Sequence, residues 1–333
     1  GDSWPTDITA LGDGTAVFAA DHRTHGRQVW ITDGTRQGTS MVRNINPGGS
    51  HPWGFVKMDD HVLFAAMDFE RGSELWRTDG TRAGTRLVRD INPGGSSWPE
   101  AITPIGDGLA IFTADDGTRG AEPWITDGTR AGTQLLRNIN RQDDMFGMWP
   151  GMYTPLGNGQ VIFAADDGVR GVELWVTDGT RAGTGMVRDI NPGPDWSLGM
   201  FMGHKVAEPL GNGLAVFFAD DGEHGLEPWV TDGTRRGTRL LADTMPGEEG
   251  GAMIGENTIF ALGDGRALFT ANSLESGVEL WVTDGTPRGT QLLRDINRGP
   301  DGSFPDGFMM FGAFEASHPL VMALDAVALA QAD

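Results

Sequence analysis

The sequence has no cysteine. Disulfides, thiolate catalysis and zinc–thiolate sites are therefore excluded. Lysine is almost missing: Lys57 and Lys205 stand against arginine everywhere else. Tyr153 is the one tyrosine, and the seven histidines are scattered, none beside a nucleophile motif. No run approaches the roughly 18 apolar residues of a membrane helix. Positive charge is in short supply, with a formal net charge of −21 and a pI of about 4.6. Nucleic acid, whose phosphates call for a basic surface, is thus not an expected partner, and neither is an anionic membrane. Such an acidic, cysteine-free composition suits a solvated exterior.

What the chain does have is repetition. Trp30, Trp76, Trp124, Trp175, Trp229 and Trp281 recur at spacings of 46 to 54 residues. An aspartate follows each by three positions: Asp33, Asp79, Asp127, Asp178, Asp232 and Asp284. The third copy, 97–140, divides into four runs separated by turn residues: 100–105, 109–114, 121–126 and 133–140. None shows helical periodicity over a useful length. Asp115-Asp116-Gly117 reads as a hairpin between the second and third runs. Four short antiparallel strands per period of this size predict one propeller blade per repeat. The repeat tryptophans are expected between blades, each removing roughly 150–250 Å² from water. The aspartate of each Thr-Asp-Gly-Thr stretch is expected to cap its own turn, with calcium as the rival reading.

Glu74-Leu75-Trp76-Arg77-Thr78-Asp79-Gly80-Thr81 resembles the ELWxxDGT repeat of bacterial surface and secreted proteins. Residues 173–180 and 279–286 fit it too, whereas Pro123, Pro228 and the pair Gln28-Val29 depart from it. The resemblance covers nearly the whole chain. It implies a propeller-like architecture in an extracellular or cell-surface setting, and brings no catalytic residues with it.

Six complete copies predict an all-β, six-bladed propeller in one domain over 1–333, in repeats at 1–49, 50–95, 96–143, 144–194, 195–247 and 248–300. Residues 301–333 form a partial copy, read as a closing clasp, with a seventh blade as the alternative. In such a meander the connections between blades share a face with the second-to-third hairpins. Two candidate sites meet there. The first is aromatic, in the inter-blade connections: Trp4, Trp53, Trp98, Trp149, Trp196 and Phe304. Aromatic faces pack on sugar rings, and repeated weak sites add through multivalency, so the expected partner is a glycan or another surface polymer. Rings that only wedge blades together are the competing expectation. The second is acidic, around Asp116, Asp167 and Asp221, where oxygen ligands beside glycine turns suit calcium. No other cofactor is expected. The remaining possibilities are a glycan lyase or hydrolase with carboxylates at the channel mouth, Tyr153 among the inner-strand candidates, and a structural tile that binds copies or chains of an exported assembly.

Overall fold

In the computed structural model the described residues are 2–141, 151–198, 206–248, 250–252, 259–305, 308–310 and 321–323, the last two segments as backbone only. All regular structure among them is strand. No helix among them is long and apolar enough to cross a membrane. The first sheet comprises β1 (Thr6–Ala10), β2 (Ala16–His22), β3 (Gly26–Thr32) and β4 (Ser40–Arg43). The second comprises β5 (Trp53–Lys57), β6 (Val62–Asp68), β7 (Gly72–Thr78) and β8 (Arg86–Arg89). The third comprises β9 (Glu100–Gly106), β10 (Leu109–Asp115), β11 (Ala121–Thr126) and β12 (Gln134–Leu135). In the fourth are β13 (Gly151–Pro155), β14 (Val161–Asp166), β15 (Val172–Thr177) and β16 (Gly185–Arg188). In the fifth are β17 (Glu208–Pro209), β18 (Ala215–Asp220), β19 (Leu226–Thr231) and β20 (Arg239–Leu240). The sixth holds β21 (Ile259–Ala261), β22 (Ala267–Ser273), β23 (Gly277–Thr283) and β24 (Gln291–Arg294). Each of the six is an antiparallel meander in chain order. A two-stranded sheet of β25 (Phe308–Met310) and β26 (Val321–Ala323) follows.

Contacts divide the chain into two compact units. One holds Gly1–Tyr153, Asp166–Gly168 and Gly179–Thr184; the other holds Thr154–Ala165, Val169–Asp178 and Gly185–Asp333. Within each unit neighbouring sheets pack through the repeat residues. In the first, Val88 and Ile91 from the end of the second sheet bury against Phe112 and Trp124 of the third. A fully buried aromatic of this size removes several kcal/mol worth of apolar surface from water at about 25 cal/mol/Å², as an upper figure. The expected inter-sheet place of the tryptophans therefore holds, and Trp76, Trp124, Trp175 and Trp229 are buried. Trp30 is only half-buried, in the sheet whose Ile8 is 70% exposed. In the sixth sheet Leu293 and Ile296 are exposed, at positions where Val88 and Ile91 are buried.

An arginine missed in the sequence completes four of the junctions. Arg43 donates to Thr85 O (2.7 Å) and Arg188 to Thr238 O (3.0 Å), one sheet further on. Arg89 and Arg137 make the same bond, to Thr133 O and Thr184 O. The guanidinium of Arg89 lies 5.8 Å from the ring centre of Trp124, and that of Arg188 lies 5.5 Å from Trp229. A cation over an indole face strengthens the contact beyond the buried area.

The fourth run of the repeat is shorter than its sequence suggests. In the third copy the ladder covers only Gln134–Leu135, not the expected 133–140. Proline explains part of this. β12 and β20 have two residues, and each pairs with a strand carrying proline, Pro123 or Pro228. Where leucine or valine stands instead, β4, β8, β16 and β24 have four. Proline has no N–H to give the ladder. Past the strand, a side chain takes over the hydrogen bonding, as described below.

The Thr-Asp-Gly-Thr turns read as expected. Asp127 Oδ1 accepts from Thr129 N (2.8 Å) and Thr129 Oγ1 (2.7 Å), and Thr129 Oγ1 in turn accepts from Gly132 N (3.0 Å). The same bonds recur at Asp33, Asp232 and Asp284. The second glycine is required by space: a Cβ on Gly132 would sit 2.1 Å from Asp127 Cγ. Gly132→Ala should therefore displace the carboxylate from its cap and lower unfolding free energy by about 1–3 kcal/mol. Urea unfolding of the variant checks this, and a change within error would mean that the turn has room to yield.

Candidate functional site: the ring-bearing connections and their glutamate anchors

The connections that leave the fourth strands are anchored on a buried glutamate or, in the first sheet, a buried glutamine. In the second sheet Glu74, fully buried on β7, accepts from Ile91 N (2.9 Å), Asn92 N (3.3 Å) and Ser97 Oγ (2.7 Å). Glu173 does the same with Ile190 N, Asn191 N and Ser197 Oγ (2.8 Å). Glu122 accepts from Ile139 N (2.9 Å) and Asn140 N (3.1 Å). Glu227 accepts from Thr244 N and Oγ1, Met245 N and Gly251 N. The carboxylate thus receives the backbone donors that a longer fourth strand would have used. In the first sheet the same position holds Gln28, also fully buried, whose Oε1 accepts from Ile45 N (3.2 Å) and Ser50 Oγ (2.9 Å).

The anchored serine then stitches two sheets. Ser97 N donates to Ser73 O (2.9 Å), and Ser97 O accepts from Asp115 N (2.9 Å). Ser50 and Ser197 bridge their neighbours in the same way. The expectation that these connections share a face with the second-to-third hairpins is met. Gly72 in a hairpin lies so close to Gly95 O that a Cβ there would approach to 2.3 Å.

The residue after the serine is pushed outward. Trp98 N donates to Ser73 O (3.3 Å), and Trp98 takes φ of +47°. Trp4 (φ +41°) and Phe304 (φ +50°) share this left-handed backbone. Bulky side chains rarely adopt it, and it costs of order 1–3 kcal/mol. All three rings are exposed: Trp4 68%, Trp98 46% and Phe304 58%. The second copy has His51 in this place, also exposed and at φ +42°. Sequence reading missed it, although Ser50-His51-Pro52 lines up with Ser97-Trp98-Pro99.

The other predicted aromatics divide. Trp53 is not in the connection but is the first residue of β5, half-buried, paired with Ala65. Its ring centre nevertheless lies 6.2 Å from that of Trp98, at 37°. Trp196 is 43% exposed, two residues ahead of Leu198, which occupies the Trp98 position and is buried. Trp149 lies outside the described residues.

The acidic set turns its oxygens inward. Asp116 Oδ1 accepts from Thr118 N, Thr118 Oγ1 and Arg119 N, and its Oδ2 pairs with the Arg119 guanidinium. Asp221 Oδ1 accepts from Glu223 N and His224 N, and Oδ2 faces His224 Nδ1 at 2.9 Å. These are hairpin caps. Asp167 sits at the corresponding turn of the fourth sheet. Among the described residues no group of three or more His, Asp or Glu stands placed to hold a metal ion. Tyr153 does not present its hydroxyl to an opening: it is buried and bonded to Thr113 Oγ1 (2.9 Å), and burial holds the phenol above its ordinary value. A cleft of about 750 Å³ in the first unit is lined by Arg43, Phe69, Arg71, Arg89 and Asp90 among others. Arg43 and Arg89 are committed there to the junctions described above, and Arg71 to Asp68.

Burial raises the anchoring carboxyls, to about 8 for Glu122 and about 7 for Glu173, and also lifts Glu74 and Glu227. Desolvation of the charge outweighs the N–H donors that favour it. The turn aspartates go the other way. Threonine hydroxyls hold Asp33 and Asp284 below the usual value.

No family model matches the chain, and no curated protein does. Among solved structures it is similar to a puromycin hydrolase, at 16% identity over 93% of this chain and 48% of the other, with TM-score 0.44. TolB from Acinetobacter baumannii gives 11% identity over 88% and 66%, with TM-score 0.39. A puromycin-hydrolysing peptidase of Mycobacterium tuberculosis gives 12% over 90% and 54%, with TM-score 0.39. The chain spans about half the length of the hydrolase. At these identities and TM-scores the likenesses say nothing of what this chain does.

The first sheet supplies a natural control for the anchor. Glu122→Gln should fold and keep most of its stability, as Gln28 does at home. Glu122→Ala strands two buried N–H groups and should cost about 3–5 kcal/mol, at about 1–3 kcal/mol per unmet donor plus lost packing. Chemical denaturation of the two variants side by side checks the contrast. Equal losses would deny the anchor its role.

Proposed function

We propose that the six meanders are blades of a β-propeller, and that the chain is a secreted or cell-surface binding module for a glycan or another surface polymer. The observation that carries the binding reading is the exposed ring held at positive φ at the same position of three copies: Trp4, Trp98 and Phe304. Core packing gives no reason to keep a bulky residue in a strained backbone with its ring in water. Strain retained at exposed side chains points towards function. Trp98 has Trp53 beside it, which makes an apolar step wide enough for a sugar ring. Rings that recur at one position of the repeat favour a repeating ligand, since weak contacts on one polymer gain through effective concentration. The acidic surface favours neutral or cationic polymers over polyanions. The lyase or hydrolase alternative has less support, because Glu74, Glu122, Glu173 and Glu227 are buried and engaged with backbone donors. Calcium would enter only as a structural ion at the hairpins.

Trp98→Ala and Trp4→Ala are the test, in a panel of immobilised neutral, cationic and acidic polysaccharides. Each variant should weaken retention at least tenfold on the polymer that the parent binds, and the double variant should lose it. The melting temperature should change little, because the rings are exposed and alanine bears the same left-handed backbone cost. Parent protein that binds none of the panel, or variants that bind as it does, would overturn the reading.

A further inference from the structure

The position sixteen residues after each anchor carries a second pattern. In the first sheet the pair is Gln28 and Asn44, and Gln28 Nε2 donates to Asn44 Oδ1 at 3.1 Å. In the third it is Glu122 and Asn138. There the Asn138 amide, oriented to satisfy its neighbours, donates to Glu122 Oε1 at 3.2 Å and to Asn140 O at 2.9 Å. In both sheets an amide hydrogen stands between the two side chains. In the second and fourth sheets the pairs are Glu74 with Asp90 and Glu173 with Asp189. No amide is present to supply that hydrogen. Asp90 Oδ1 and Asp189 Oδ1 are nonetheless closed off from water and have no hydrogen-bond partner. The sixth sheet repeats the arrangement with Asp295, whose Oδ1 is equally bare.

We propose that Glu74 and Asp90, and likewise Glu173 and Asp189, hold one proton between them, as a carboxylic acid hydrogen-bonded to a carboxylate. The proton takes the place of the amide hydrogen found in the first and third sheets. The bonds fit this position. Glu74 Oε2 already accepts two bonds, from Ile91 N and Ser97 Oγ, whereas Oε1 accepts only the longer one from Asn92 N. Glu173 divides its bonds in the same way. In both sheets Oε1 is the oxygen that corresponds to the donating Nε2 of Gln28. Neither neighbouring arginine bonds the bare Oδ1 of its aspartate. Asp189 Oδ2 faces Arg170 Nε at 3.6 Å. Arg71, which feels the Asp90 charge, is paired to Asp68 at 2.7 Å and to Glu70 at 3.2 Å. The negative charge of Asp90 and of Asp189 adds to burial in lifting the glutamate of each pair.

The consequence is a pH-sensitive junction. A carboxyl that is lifted in the folded state binds its proton more tightly there than when unfolded. Its contribution is fully present below the ordinary carboxylate value, and is lost as pH rises through the folded value, about 7 for Glu173. Two like charges then face each other behind the loop that carries Ser97 and Trp98. This inference does not depend on what the rings bind.

The test is the double variant Asp90→Asn, Asp189→Asn, which installs the amide of the third sheet. Relative to the parent its melting temperature should rise by a few degrees at about pH 8 and change little at about pH 5. Equal shifts at both pH values, or a loss at the higher one, would overturn the proposal. Infrared spectroscopy gives a reading on the folded protein without any melt. In a Glu122→Gln background, which removes the other strongly lifted carboxyl, a protonated-carboxyl band should persist at about pH 6 and move in frequency when both aspartates become asparagine, because its hydrogen-bond partner changes. Absence of the band at that pH would sink the idea.

Discussion

The structure depends on a carboxylate placed where water cannot reach it. On the buried face of the third strand, packing alone would favour an apolar side chain. The glutamate is there because the chain must leave the sheet. After the fourth strand the backbone turns away from the ladder, and its N–H groups at positions 91 and 92, or 190 and 191, would be buried without acceptors. An unmet buried donor costs about 1–3 kcal/mol. The glutamate from the third strand supplies both acceptors and then holds the serine that opens the next sheet. One side chain therefore ends one sheet and positions the next.

The rest of the junction follows from that placement. With Ser97 fixed between Ser73 O and Asp115 N, the strands on either side are held in register across two sheets. Val88 and Ile91 then meet Phe112 and Trp124, and Arg89 reaches over the indole to Thr133 O. Apolar burial supplies most of the energy, but it is non-directional. The carboxylate and the guanidinium give the packing its direction. After the anchored Ser50, Ser97 and Ser303 the next residue takes left-handed backbone, and the sequence places His51, Trp98 and Phe304 there in preference to glycine. Glycine would relieve the strain at positions 4, 98 and 304, and the chain does not use it there.

Much of this was legible in the sequence. The tryptophan spacing gave the repeat, and Asp-Gly pairs gave the hairpins to within a residue or two: β10 and β11 begin where the third copy suggests. The capping aspartates were readable because Asp, Gly and Thr at fixed offsets have a turn mechanism behind them. The glutamate anchor was not readable. Its partners lie 17 to 24 residues away and are mostly backbone N–H groups, which leave no mark on residue identity. The arginine of the fourth strand was missed for the same reason, because it bonds a carbonyl about 42 to 50 residues on. Trp53 was misplaced because aromatic type was weighed above register. Matching Ser-x-Pro instead of tryptophan to tryptophan puts His51 at the outward position and Trp53 on the strand.

That register slip bears on how such repeats diversify. The outward position holds Trp4, His51, Trp98 and Phe304, so its side chain varies from copy to copy while the serine before it stays, and Leu198 at the same place turns inward. The anchor pair varies too, from Gln28 with Asn44 to Glu122 with Asn138 to Glu74 with Asp90, yet these three keep an acceptor towards the same backbone donor. Where the backbone must be satisfied, the atoms are held constant and only the number of protons they carry is free to change. Where the side chain points into solvent, its chemistry is free to change. A repeat built this way can alter what it presents to a ligand, and how it responds to pH, without disturbing the hydrogen bonds that join one sheet to the next.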